Sequence, residues 1–399
     1  MKIIAKYDRI MILKAVCAKL VYKVSKMKIL LVIDDVSIFG GVERVVANLA
    51  NAFLEQGDEV CVYSLFCKSQ SLPYEYPNIV FHSHTSTIDL KKPKNKMGKI
   101  LREILRIFVQ PVNALIECKN AWSFKKFINE YQPNFILCNE WTNALVKTLA
   151  KMPNSVKVVH CSFDAYLQCG LELAGFKNVA LLTFQEIEQF QAKYPSSNFY
   201  VIPNFLPNIP NAQTDYTQKV VLSVGRMSLD NQKGFLRLLE IWNLIMRDSA
   251  FKEWKLHIVG GGELKPQIEA RIKELKLSDS IKLKPFTKEV EKEYLSASIY
   301  AMSSHFEGLP MVLLEASSYG LPCVSFDIKT GPRDIIEHQK SGFLITDNDL
   351  EDYAKHLKIL MQDSNLRKNM GMQSQRIARE KFSKEVVRRQ WAELFGKIG

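Results

Sequence analysis

From Ile29 to Ile345 the chain alternates short apolar runs with longer stretches whose apolar residues recur at helical spacing. A short run bounded by turn residues reads as a strand covered on both faces, as a parallel sheet requires. Ile29–Ile33 is such a run, and the Gly40-Gly41 loop follows it. Val42, Val45, Val46, Leu49, Ala50 and Phe53 then lie on one helical face. Gly57 fits the stop, and Glu59–Ser64 is the next strand, which completes a strand–helix–strand unit. Asn134–Leu137, Ser155–Val159, Leu181–Thr183 and Phe199–Ile202 continue the same sheet.

Pro203, Pro207 and Pro210, interleaved with Asn204, Asn208 and Asn211, mark a rigid linker. A second series starts near Lys219, with strands expected at Val220–Val224, Lys255–Val259, Ile281–Leu283, Ile299–Met302, Pro322–Phe326 and Gly342–Ile345. The tail from Ser383 begins with an N-cap residue and places Val387, Trp391, Leu394 and Phe395 on one face. Periodicity alone thus predicts two α/β halves. At 399 residues the chain is comfortable for two domains.

Composition sets limits. With 47% hydrophobic and 24% charged residues the chain fits a soluble globular protein. No apolar run reaches the length of a membrane-spanning helix. Eight cysteines without CxxC spacing read as reduced, mostly buried thiols of a cytoplasmic protein, so no metal site is expected. A metal bound by Cys161 and Cys169, which flank one loop, is the alternative.

The net charge of +12 is uneven. Residues 1–26 hold seven Lys/Arg and one acid, and residues 91–126 hold ten and two, so the remainder is close to neutral. Residues 1–26 do not form a clean signal peptide, because Lys14 interrupts the apolar centre and a small-residue cleavage site is missing. They read either as a stretch ahead of an ordinary start at Met27-Lys28 or as a basic interfacial helix. Met97, Ile100, Leu101, Ile104, Leu105 and Phe108 recur at helical spacing beside Lys96, Lys99, Arg102 and Arg106. A basic amphipathic helix is a membrane-surface signature; a helix packed on the domain core with solvated charges is the other reading. No nucleic-acid-binding motif accompanies the charge.

The segment with most chemistry is Glu307-Gly-Leu-Pro-Met-Val-Leu-Leu-Glu315. Gly308 and Pro310 supply the flexible and preset positions of a strand-to-helix turn. The N–H groups from Met311 onward then offer a seat for phosphate at a helix start. Glu315 can accept hydrogen bonds from sugar hydroxyls. Two glutamates at this spacing also occur in ordinary helices.

Glu307 and Glu315 with seven residues between them, followed by Ala316 to Pro322, resemble the E-x7-E signature of family 4 retaining glycosyltransferases. Val221 to Arg226, with Gln232-Lys233-Gly234-Phe235, is similar to that family's Arg…Lys diphosphate clamp. Ile258 to Glu263 resembles its glycine turn, and Gly40 to Arg44 its N-terminal glycine loop. The motifs keep family order and cover roughly residues 27 to 395. A softer likeness joins Val324 to Asp327 and Thr330-Gly331-Pro332 to surface-polysaccharide transferases.

The resemblance implies a GT-B fold, two Rossmann-like domains facing a cleft with a C-terminal helix crossing back to the first. The expected boundaries are residues 1–26 (basic leader), 27–205 (acceptor side), 206–382 (nucleotide-sugar side) and 383–399 (crossover helix). It implies that Arg226, Lys233, Glu307 and His160 carry catalysis. Gly40, Gly41, Gly261, Phe286, Leu309, Pro310, Met311, Val312 and Glu315 would bind the donor, with Glu315 on the ribose hydroxyls. Solvated charges at a strand end are the ordinary alternative for Arg226 and Lys233. Six residues lie between that pair, where the family more often has five, so Asp230-Asn231 must bulge outward for Lys233 to reach.

Glu307 is either a nucleophile in a double displacement or the group that orients the donor sugar; the resemblance favours the second. His305 and Asp164 are weaker candidates. Asp347-Asn348-Asp349 imitates a metal-binding DxD but sits where turn and N-cap chemistry is expected. With Arg, Lys and helix N–H groups on the diphosphate, the resemblance implies no metal cofactor. The expected enzyme moves a hexose or N-acetylhexosamine from a UDP-sugar to a lipid-linked surface glycan (lipopolysaccharide, capsule or similar) at the inner membrane face. The expected partners are the nucleotide sugar, the lipid-linked acceptor and an anionic membrane surface, with no nucleic acid. Another GT-B activity, such as an epimerase or a phosphorylase, or a non-catalytic membrane-bound scaffold, are the alternatives.

Overall fold

A computed structural model describes residues 26–69, 71–81, 88, 90, 96–139, 145–173 and 175–399. The expectations for residues 1–26, Lys26 apart, lie outside the described residues.

The strands form two parallel sheets, one of seven in the order β3-β2-β1-β4-β5-β6-β7 and one of six in the order β10-β9-β8-β11-β12-β13. The first holds β1 (Lys28–Asp35), β2 (Glu59–Phe66), β3 (Ile79–Phe81), β4 (Phe135–Cys138), β5 (Ser155–Val159), β6 (Asn178–Leu181) and β7 (Asn198–Val201). The second holds β8 (Val220–Val224), β9 (Lys255–Val259), β10 (Ile281–Lys284), β11 (Ile299–Met302), β12 (Cys323–Phe326) and β13 (Gly342–Ile345). Central strands such as β4 and β11 are buried along their whole length, which is why they read as unbroken apolar runs.

Residue contacts divide the described chain into two compact units, residues 26–39 with 46–139, and residues 40–45 with 145–398. In the first unit β1 pairs in parallel with β2 on one side and β4 on the other. The long Lys96–Tyr131 helix packs by its second half, where Phe124 and Phe127 bracket the buried Tyr63 at ring distances of 4.9 and 5.0 Å. Its first half behaves differently. Met97 is 81% and Phe108 69% exposed, and Ile100, Leu101, Ile104 and Leu105 are exposed with them. The packed-helix reading of this stripe is therefore corrected. The apolar residues that anchor the helix come later in it, beyond Pro111.

In the second unit the six-stranded sheet packs its helices around the buried side chains of Trp242, Tyr294, Tyr300 and Tyr353. The strand expected at Leu181–Thr183 lies upstream, at Asn178–Leu181, in register with Val156–Val159 of β5. A buried Asn178 hid its start, and Thr183 belongs to the turn before an exposed Phe184. The short edge strand β3, Ile-Val-Phe, was not among the expected strands. The final helix, Lys384–Ile398, buries Val387, Trp391, Leu394 and Phe395, the face its periodicity predicts. The preceding Ser383 bridges to Leu206 in the linker.

Order within the six-stranded sheet matters for function. The chain leaves β8 to one side, toward β9 and β10, and returns to the other side at β11. Ligands of open α/β sheets bind beyond the carboxyl ends of the strands at such a switch point.

Candidate active site

The carboxyl ends of β8 and β11, the two strands at the switch point, carry Gly225-Arg226 and the Ser303-to-Glu307 loop. Arg226 is exposed, and among the described residues no hydrogen bond or ion pair engages it. Lys233 comes back from the β8 loop and lies against Gly225, where a Cβ would sit 2.8 Å from its side chain. Its Nζ meets Glu307 Oε1 at 2.6 Å, with the two side chains 17% and 8% exposed.

The expected bulge is present. Asn231 adopts a φ of 52°. Asp230 is exposed and accepts hydrogen bonds from Ser228 Oγ and the Gln232 N–H. Gly234 N–H donates to the Asn231 carbonyl at 2.7 Å, which closes the extra turn. Gly234 has a φ of 63°, and a Cβ there would fall 1.8 Å from the Ser303 carbonyl oxygen. Only glycine lets the Lys233 turn lie this close to the β11 loop. His305 N–H donates to the Gln232 carbonyl, and Gln232 Nε2 donates to the Phe306 carbonyl, so the two loops are laced together.

Glu307 is also held through its backbone. Its carbonyl accepts from Thr330 Oγ1 at 2.6 Å. Gly331 follows, with a φ of 96° and no room for a Cβ beside Pro310 and the Gly308 carbonyl. The His160 carbonyl presses on Gly308 from β5, since a Cβ on Gly308 would sit 2.6 Å from it. His160 thus reaches the Glu307–Pro310 turn through its backbone. Burial, and then Lys157, pull its imidazole pKa down to about 3, so the ring is neutral at physiological pH.

Leu309 and Pro310 are buried, and Pro310 precedes the Met311–Ser318 helix with a φ of −73°. Met311 and Val312 are half-buried and occupy its first two positions, where N–H groups have no acceptor inside the helix. Glu315 is fixed at both oxygens. Oε1 accepts from Arg44 Nη2 at 2.5 Å, and Oε2 from the buried Tyr294 hydroxyl at 2.9 Å.

The remaining expected residues sit less definitely. Gly260 and Gly262 turn with positive φ because Cβ atoms would strike the carbonyls of Gly225 and Met227, while Gly261 faces open space. Phe286 is 56% exposed just beyond β10. Gly40 is crowded by its neighbour Glu43, and Gly41 is open. Asp164 pairs with Lys329 at 2.7 Å, and Lys329 also approaches the buried Glu186. His305 is exposed, with its pKa lowered by partial burial and by Arg237.

Asp347 and Asn348 accept from the buried Arg237, and Asp349 caps the Leu350–Gln362 helix. The Asp-Asn-Asp triplet is thus turn and cap chemistry. Among the described residues no group of three or more His, Cys, Asp or Glu could hold a metal ion.

Sequence reasoning gave no role to Arg44, Tyr294 or Thr330. Arg44 carried a signal. A cation in the first turns of a helix opposes the macrodipole and calls for an acidic partner. Tyr294 and Thr330 gave none beyond the Thr330-Gly331-Pro332 likeness.

Residues 207–376 match the family described as glycosyl transferases group 1. An uncharacterized glycosyltransferase of Haemophilus influenzae is 30% identical over 361 residues, covering 88% of this chain and 95% of the relative. The lipopolysaccharide 1,6-galactosyltransferase of Salmonella typhimurium is 26% identical over 352 residues, covering 83% and 89%. A crystal structure of an S. aureus TarM mutant with fondaparinux, alpha-GlcNAc-glycerol and UDP superposes with a TM-score of 0.72 at 16% identity, covering 92% of this chain and 99% of that one. The two parallel sheets match the GT-B fold of solved glycosyltransferase structures. The chain belongs to the glycosyl transferases group 1 family, and its relatives place it among transferases of bacterial surface-polysaccharide type.

Proposed function

We propose that this chain is a retaining, metal-independent enzyme. It transfers a hexose or N-acetylhexosamine from a UDP-sugar to a lipid-linked surface glycan at the inner face of the cell membrane. The observation that carries this reading is the Lys233–Glu307 pair at the carboxyl ends of β8 and β11, with Arg226 exposed at the end of β8.

Transfer breaks the bond between the anomeric carbon and the diphosphate oxygen. Negative charge grows on that oxygen, and Lys233, Arg226 and the free N–H groups at Met311 and Val312 are the donors that stabilise it. The acceptor hydroxyl forms the new glycosidic bond, and its proton passes to the departing diphosphate. Glu307, engaged by an ammonium at 2.6 Å, is better suited to orient the sugar hydroxyls than to attack carbon. With cations already supplied by the protein, a divalent metal is not required. His160, neutral and adjacent to the Glu307–Pro310 turn, lies beside the donor sugar. UDP in the TarM complex, which shares this fold, supports the choice of nucleotide.

No helix among the described residues is long and apolar enough to cross a membrane. The exposed stripe from Met97 to Phe108, with Lys99, Arg102 and Arg106 nearby, supports peripheral attachment to an anionic leaflet.

A panel of nucleotide sugars scored by thermal shift tests the donor, since a bound donor raises the melting temperature. Proton NMR of the first-formed product then reads the anomeric configuration, and EDTA the metal dependence. Inverted product, or activity abolished by EDTA and restored by a divalent ion, would overturn those parts of the reading.

A further inference from the structure

Both carboxylate oxygens of Glu315 are held by side chains, and the two holders differ in kind. Tyr294 is buried beneath it and donates from 21 positions earlier. Arg44 comes from 271 positions away, from the first turns of the helix that begins at Gly41. Arg44 N–H also donates to the Gly40 carbonyl at 3.3 Å, so the residue that grips Glu315 closes the Gly40-Gly41 turn. A carboxylate has about four acceptor sites, so one bond to each oxygen leaves a lone pair on each for a ligand.

We propose that Arg44 is a positioning residue for the nucleotide. It holds Glu315 in the one orientation that can accept from both ribose hydroxyls, and it thereby ties nucleotide binding to the glycine turn. This rests on the reading of Glu315 as the ribose acceptor. Without Arg44 the half-buried carboxylate keeps, among the described residues, a neutral phenol as its side-chain partner and is free to rotate about the Tyr294 bond. Arg44 acts through Glu315 and touches no reacting atom. Its effect belongs to the ribose end of the ligand and not to the diphosphate end, where Arg226 and Lys233 act.

The test uses the full chain, isothermal titration calorimetry and two probes, UDP and 2′,3′-dideoxy-UDP. In the wild type UDP binds more tightly than its dideoxy analogue. Arg44→Ala should raise the dissociation constant for UDP by about tenfold or more and leave that for dideoxy-UDP within twofold. Arg44→Lys, which keeps a cation but lacks the planar fork, should fall between, and it carries the test if Arg44→Ala loses cooperative melting. Equal weakening of both probes would mean that Arg44 meets the diphosphate, and the proposal fails. UDP affinity within twofold of wild type in both variants overturns it as well. A wild type that binds UDP and dideoxy-UDP equally removes the ribose reading of Glu315, and this inference with it, while leaving the diphosphate clamp standing.

Discussion

Lys233 Nζ lies 2.6 Å from Glu307 Oε1, although 74 positions separate the two residues and each belongs to a different strand-end loop. The pair satisfies both charges in a largely buried place, where either alone would be costly. On the proposed reading, a diphosphate shares Lys233 with Glu307.

Glu307→Gln should separate binding from catalysis. The amide keeps the shape of the carboxylate but releases the full charge of Lys233 to the ligand. UDP should bind several-fold more tightly by calorimetry, while turnover of the donor falls by about 100-fold. Weaker UDP binding in this variant would show that Glu307 assists the diphosphate instead of competing for Lys233.

Lys233→Ala and Arg226→Ala should each lower kcat by about 100-fold or more, since on the proposed reading each removes a cationic donor to the leaving group. The Lys233 variant also leaves Glu307 without its ammonium, so it should melt earlier. Arg226, exposed and unpaired, should be neutral for stability. Near-normal turnover in either variant would dismiss the clamp.

Gly234→Ala tests the close approach of the loops. Its φ of 63° and the Ser303 carbonyl in the path of a Cβ predict a loss of about 2 kcal/mol or more in stability. Thermal or denaturant melting reads this directly. Gly41→Ala, with nothing within 4 Å of its Cβ, is the control and should be close to neutral.

His257, inside β9, has its pKa pushed down to about 4 by burial and then by Lys284. The unfolded imidazole titrates near 6.5, so between these values the unfolded chain binds a proton that the folded chain does not. The contribution is therefore fully present above about pH 6.5 and is lost as pH falls toward 4. His160 acts in the same sense down to about 3. Glu186 and Asp334, whose pKa values burial raises, work in the opposite sense. The measurement is thus a difference. Melting curves of wild type and His257→Asn between pH 4.5 and 7.5 should converge as pH falls. A gap that is constant with pH would refute the shift.

The exposed stripe makes a further prediction. Ile104→Ser with Phe108→Ser should leave the melting temperature almost unchanged, because both side chains are exposed. Flotation with anionic vesicles should drop several-fold, and wild-type binding should fade with salt. Loss of all binding on removing residues 1–26 alone would move the membrane contact elsewhere.

Much of this was legible in the sequence because parallel sheets are locally encoded. A strand buried on both faces is rich in apolar residues, and the helix that covers it repeats at 3.6. Hence β5, β8, β9, β11 and β13 and the final helix appear where periodicity puts them. The strand β6 was misplaced because its first residue is a buried Asn178, a polar side chain where the pattern expects an apolar one. The stripe at Met97–Phe108 was visible as an amphipathic face, but periodicity cannot say whether such a face is covered. Tertiary packing left it bare and anchored the helix through Phe124 and Phe127 instead.

The sequence by itself determined the α/β class, the order of its elements and the chemical types available at strand ends. Backbone propensity and hydrophobic period act over a few residues and are written locally. Only the tertiary structure decided the partners: Lys233 with Glu307, Arg44 and Tyr294 with Glu315, Thr330 with the Glu307 carbonyl. Ion pairs and hydrogen bonds form across a few ångströms of space between residues from 21 to 271 positions apart, and no local pattern in the chain records that distance.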